Sequence, residues 1–148
     1  MTKNHTVQKI KQGYVIDHLP AGKSRFILRL LDLYKSNYEV YTGRNVPSKK
    51  IERKDFLKIV GAEFSNVDFN RIALIAPNAT VNRIENFEVA EKRRITIPRL
   101  VENIITCPNL NCITHVEPFM KTVFTYNDNT FICRFCEHRF GTDEVTFL

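Results

Sequence analysis

Four cysteines near the C-terminal end constrain this chain more than any other feature. Cys107 and Cys112 are separated by four residues, Cys133 and Cys136 by two, and twenty residues lie between the pairs. The pattern C-x4-C-x20-C-x2-C is close to the two-knuckle spacing of structural zinc ribbons. Short intervals put two thiolates on one tight turn, and two such turns facing each other make a tetrahedral sulfur cage. Four cysteines fill the shell, so the expected Zn2+ is structural, one per chain; a catalytic zinc needs an open position. Two disulfides are the alternative. His115 and His138 lie near the knuckles and are read as surface or outer-shell groups rather than ligands. The unit counted from Ile105 has only about 44 residues. A unit that small rarely folds without a metal or disulfides.

The rest of the chain allows a second, larger domain. Of 148 residues, 43% are apolar and 26% charged, too apolar for disorder. The longest apolar run, residues 72–76, is far short of the roughly 20 residues of a membrane span. The stretch MTKNHTVQKIKQG has no apolar core of a secretory signal, so a cytosolic protein is the default expectation. In that compartment cysteines favour metal over disulfides.

Charge divides the chain. Residues 105–148 carry three basic and five acidic side chains, net −2, and residues 1–104 carry net +8 out of the total +6. The first part should therefore attract anions. No nucleophile elbow, P-loop, HExxH or dinucleotide glycine pattern is present, which argues against an enzyme.

Periodicity in the first part predicts strand, helix, strand, strand, helix, strand. Residues 14–19 read as a strand ended by Pro20. Ser24 is the expected cap of a helix whose buried face is Ile27, Leu30, Leu31 and Tyr34. Residues 38–44 are β-branched and aromatic, Pro47-Ser48 marks a turn, and residues 51–60 form a strand with Arg53 and Lys54 on its charged face. Ser65 and Asp68 form a capping box for a helix that ends before Pro77. Residues 80–90 are a last strand or hairpin. This order is the split β-α-β of an α+β, ferredoxin-like fold with both helices on one face of the sheet. The expected domains are 1–94 and 105–148, with a linker over 95–104.

In the second domain Asn109 and Asn111 suit the first knuckle because Asn tolerates left-handed angles. Residues 115–132 can form a hairpin with Asn127-Asp128-Asn129 at its tip. Phe119, Phe124, Tyr126, Phe131, Phe135, Phe140 and Phe147 are mostly its small core. A zinc-ribbon nucleic-acid binder is the rival reading, since aromatics stack on single strands. The net negative charge of this domain opposes it.

Read together, the strings GYVIDHLPAG, NVPSKKIERKDFLKI, IALIAPNATVNRIENFEV, CPNLNCITHVEP and CRFCE resemble, in order and over nearly the whole chain, the regulatory chain of aspartate carbamoyltransferase. The resemblance implies a ferredoxin-like domain that binds nucleotides and a zinc domain, with no catalysis. It implies regulatory dimers formed through the first domain and contact with catalytic trimers through the second. CTP and ATP would compete for one site and shift the holoenzyme between states of low and high activity, controlling pyrimidine biosynthesis.

Residue by residue, the resemblance points to Asp17 and Lys58 as a ribose-contacting pair and to His18 and Lys92 as triphosphate contacts. Asn82 and Val89 occupy matching positions on the last strand. Lys9, Ile10 and Phe87 sit where the family reads the base, largely through backbone groups. On the zinc domain, Asn111, Arg134 and Glu137 match positions that touch the catalytic chain. The chain departs from the better-known pattern at Asn4-His5, Gln8, Lys9 and Phe87. Those changes bear on which nucleotide inhibits and on whether a second nucleotide joins with a metal.

Overall fold

Alternation of apolar residues builds the first sheet. In a computed structural model that describes residues 9–148, the chain divides after Thr96 into two compact units. Departures at Asn4, His5 and Gln8 lie outside the described residues. The first unit runs β1 (Gln12–Pro20), α1 (Ser24–Leu30), β2 (Glu39–Ser48), β3 (Glu52–Val60), α2 (Asn66–Ile75), β4 (Thr80–Glu85) and β5 (Glu88–Arg94). The strands lie in the order β2-β3-β1-β4-β5 and every neighbouring pair is antiparallel. Consecutive side chains on a strand point to opposite faces. Ile16, Leu57, Ile59 and Val81 consequently share the helix-covered face and are almost fully buried. Helix α1 packs on α2 and on β3. This is the expected α+β ferredoxin-like order, with 80–90 resolved as a hairpin whose second strand reaches Arg94.

Three local expectations are corrected. Ser24 is the first helical residue, not the cap, and its hydroxyl donates to the Asp55 carboxylate instead. The buried side of α1 is Ile27 and Leu28, continued by Leu33 after the helix ends at Leu30, and Tyr34 is exposed. Pro47-Ser48 lies inside β2, and the turn falls just after it. A bulge between Gly43 and Val46 shifts the pairing there, and Pro is tolerated on an edge strand such as β2. The Ser65–Asp68 capping box forms as read, with reciprocal hydrogen bonds of 2.9 and 3.3 Å.

The second unit has a four-stranded antiparallel sheet in the order β6-β7-β8-β9, from Leu100–Glu102, Val123–Asn127, Thr130–Cys133 and Arg139–Phe140. Part of the segment read as linker is thus a strand: Leu100 to Glu102 pairs with β7. Asp128 and Asn129 both take positive φ, 51° and 60°, and close the β7–β8 hairpin at the expected tip. Phe124, Phe131 and Phe140 make the core, with ring centroids 5.4 and 5.2 Å apart around Phe140. Phe119 is 94% exposed and Phe135 42%, so these two rings are not core.

Candidate metal centre and effector face

The two knuckles converge. The first turn closes through Cys112 N–H donating to the Asn109 carbonyl (3.0 Å), and the second through Glu137 N–H donating to Cys133 (3.0 Å). Glu137 takes the left-handed φ, 64°, that the second turn requires. Neither Asn109 nor Asn111 does; Asn109 instead accepts the Asn111 N–H on its side chain, an Asx turn.

All four sulfurs lie within 4.8 Å of one another, and all four residues are free thiols. Cys107 Sγ is 3.6 Å from Cys136, and Cys112 Sγ is 3.8 Å from Cys133. A regular tetrahedron with Zn–S bonds of about 2.3 Å has edges of about 3.8 Å. The donor set and its spacing therefore fit a four-thiolate metal ion. His115 is not a ligand: its Nε2 lies 2.7 Å from the Cys107 carbonyl oxygen, bracing the first knuckle. His138 stacks near Phe140. Further donors reach the sulfurs, Thr114 Oγ1 to Cys112 at 3.2 Å and Phe135 N–H to Cys133 at 3.4 Å.

The thiols are unequal. Burial pushes Cys107 and Cys133 up. Burial also works against the Cys136 thiolate, but hydrogen bonds from the Asn109 side chain, the His138 N–H and the neighbouring thiols outweigh it and bring Cys136 down to about 6. A bound cation reverses the penalty on the buried pair.

On the first unit, register places several predicted residues in one row. Lys58 on β3 faces Val15 on β1, Val15 faces Asn82 on β4, and Asn82 faces Lys92 on β5. Alternation puts all four on the face away from the helices. Asp17 is two positions beyond Val15 on the same face. The backbone at His18 bulges, with φ 62° and a register shift between Ile16 and Leu19, and its Nδ1 lies 3.1 Å from Thr80 Oγ1. Burial lowers the Lys58 ammonium below the ordinary lysine value; nearby Asp17 opposes this and Lys9 adds to it. Asn82 Oδ1 is buried and has no hydrogen-bond partner among the described residues.

Two further basic residues of this face were not assigned to the site from the sequence, which placed Lys54 only on a charged strand face. Lys54 Nζ bridges both Asp17 oxygens at 2.9 and 3.1 Å. Arg94, beyond Lys92 on the same face, donates to Asn78 at 3.3 Å. The signal for Lys54 was present, because positions 54, 56 and 58 share one face of a strand. Ile10 is buried, Lys9 exposed, and Phe87 N–H donates to the Lys11 carbonyl (3.0 Å), tying the start of the described chain to the β4–β5 turn. Phe87 and Val89 are exposed.

Arg134 and Glu137 line a shallow cleft with Ile132, Cys133 and Arg139 on the second knuckle. Asn111 is exposed on the first.

A ferredoxin-like sheet with a basic open face, followed by a small thiolate-caged β unit, defines a two-domain metal-binding protein. The regulatory chain family of aspartate carbamoyltransferase matches both parts: its allosteric domain over residues 5–96 and its metal binding domain over 99–146. Similar proteins named aspartate carbamoyltransferase regulatory chain include one from Vibrio sp. strain 2693, 43% identical over 99% of this chain and 98% of that one. The protein of that name from Chromobacterium violaceum is 43% identical over 98% and 97%, and that from Photorhabdus laumondii 38% over 98% and 97%. The chain belongs to the aspartate carbamoyltransferase regulatory chain family. Among the described residues no helix is long and apolar enough to cross a membrane.

Proposed function

We propose that this chain is a non-catalytic, cytoplasmic subunit that binds CTP and ATP on the open face of its first sheet and regulates a catalytic carbamoyltransferase chain docked on its second domain. The observation that carries the nucleotide reading is the row Lys58–Asn82–Lys92. It supplies two cations and a buried amide oxygen without a described partner, beside Asp17, His18 and Lys54. A carboxylate accepts ribose hydroxyls, an amide oxygen accepts a base amino group, and clustered cations bind a triphosphate. Lys9, Ile10, Phe87 and Val89 border the row where a base would lie.

The metal is Zn2+, held by Cys107, Cys112, Cys133 and Cys136. It fixes both knuckles, and rigid knuckles present Asn111, Arg134 and Glu137 to the partner. Regulatory dimers would bridge catalytic trimers. A nucleotide then biases the assembly only by its difference in affinity for two quaternary states, typically about 1–3 kcal/mol.

The test is co-expression with the catalytic chain, followed by sizing and assay. CTP and ATP should move the rate of the complex and leave free catalytic trimers unaffected. A chelator should dissociate the complex into active trimers. A complex that survives complete zinc removal would refute the docking role. Steep, salt-dependent oligonucleotide binding without nucleotide binding would favour the nucleic-acid reading instead.

A further inference from the structure

Strand β5 is the edge of the first sheet, and every residue from Glu88 to Arg94 is exposed. Edge strands held only by one ladder fray easily. Yet Lys92, on the open face, must be held in place if it is to meet a phosphate. On the opposite face of the same strand the Arg93 guanidinium lies 4.5 Å from the centroid of Phe69, on α2. Phe69 stands edge-on to Tyr14 of β1 at 6.0 Å, and Tyr14 stacks on Phe64 at 4.7 Å. Glu91, also on that face, lies 3.7 Å from Arg93 and 3.6 Å from Arg83 of β4. The cluster thus runs from β5 through α2 to β1, directly behind Val15, Asn82 and Lys92.

We infer that Arg93 is a positioning residue for the effector site: by stacking on Phe69 it pins β5 to α2 and fixes Lys92 on the open face. This rests on the reading of that face as a nucleotide site. Arg93 itself points away from the ligand and touches neither sugar nor phosphate. Its contribution is confined to what Lys92 does, the binding of the outer phosphates.

The test measures CTP and cytidine monophosphate affinity for the full-length, metal-loaded chain by calorimetry. Arg93→Gln and Phe69→Leu should each weaken CTP about two- to fivefold, the range of an exposed cation–π contact, and leave the monophosphate unchanged. Phe69→Leu alters no charge, so it separates positioning from simple loss of a cation. Arg93→Lys, which keeps a cation over the ring, should recover most of the CTP affinity. In a Lys92→Ala background Arg93→Gln should add nothing, the signature of two residues acting as one unit. Should Phe69→Leu fail to fold, the Arg93 series and the double variant still decide. Unchanged CTP affinity in Arg93→Gln, equal losses for both nucleotides, or full additivity with Lys92→Ala would overturn the inference alone. Failure of the wild-type chain to bind CTP or ATP would overturn the effector reading, and the inference with it.

Discussion

The Ser24 hydroxyl donates a 2.6 Å hydrogen bond to Asp55 Oδ2, joining the first turn of α1 to the middle of β3. The same carboxylate accepts the backbone N–H groups of Gly22 (2.9 Å), Ser24 (3.0 Å) and, on its other oxygen, Asn45 (2.8 Å). Asp55 is fully buried. It caps α1 from another strand and satisfies donors that would otherwise be orphaned.

Asp55 makes stability depend on acid. Burial raises its carboxyl pKa, but the Ser24 hydroxyl and the N–H groups of Asn45, Ser24 and Gly22 outweigh burial and hold it below its ordinary value of 3.8. The native state therefore binds fewer protons than the unfolded chain in that range. The stability contributed by Asp55 is complete above about pH 4 and is lost as pH falls through the lower native pKa. Asp55→Asn should cost about 2–4 kcal/mol at pH 7, since an amide turns a donor toward these donors. It should also flatten the acid limb below about pH 4. Ser24→Ala, which leaves three donors in place, should cost about 1 kcal/mol. Urea midpoints across pH check both; an acid limb unchanged in Asp55→Asn would contradict the assignment.

Metal removal should unfold the second domain and spare the first. Structural zinc contributes on the order of 10 kcal/mol to such small units. Chelation should collapse the dispersed NMR signals of Phe124, Phe131 and Phe140 toward unfolded positions while those of Ile16, Leu57 and Ile59 persist. Cys112→Ser should reproduce the effect without chelator. Retention of the aromatic core signals in fully metal-free protein would show that the cage is dispensable.

Cys136 should react first when the metal is gone. It is the least buried of the four and, at about 6, the one whose thiolate predominates at neutral pH. Burial holds Cys107 and Cys133 in the thiol form. Immediately after chelation, before the domain opens, iodoacetamide at pH 7 should modify Cys136 about tenfold faster than either. Bound metal should suppress all four. Mass spectrometry of time points reads the order directly, and prior labelling of Cys107 would contradict it.

Gly13 should tolerate no side chain. Its φ is +136°, and an added Cβ would lie 2.0 Å from the Ile59 carbonyl oxygen, a backbone atom on the neighbouring strand. Gly13→Ala combines that clash with an unfavourable backbone angle and should destabilise the first domain by about 3 kcal/mol or more. Thermal melts would show a lowered transition for that domain, with the metal-dependent transition unmoved.

Much of this was legible in the chain itself. The spacing of Cys107, Cys112, Cys133 and Cys136 fixed the donor set, because ligands on tight turns must be close in sequence. The order of strands and helices followed from periodicity, and the Ser65–Asp68 box from local hydrogen bonding. Interactions spanning three or four residues are written in consecutive letters. The failures share the opposite property. Ser24 gave up its local role because Asp55, thirty-one positions away in sequence, offered a charged acceptor in a buried site. Pro47 stayed in a strand because β2 is an edge, which no window of sequence records. Lys54 turned toward Asp17, and Arg93 toward Phe69, only once strands from distant segments were laid in register. The sequence by itself determined which groups the protein owns and which near neighbours they keep. Tertiary structure decided which face each group joins and which partner it meets, because those depend on strand order and register, set by burial of the whole sheet rather than by any one stretch of chain.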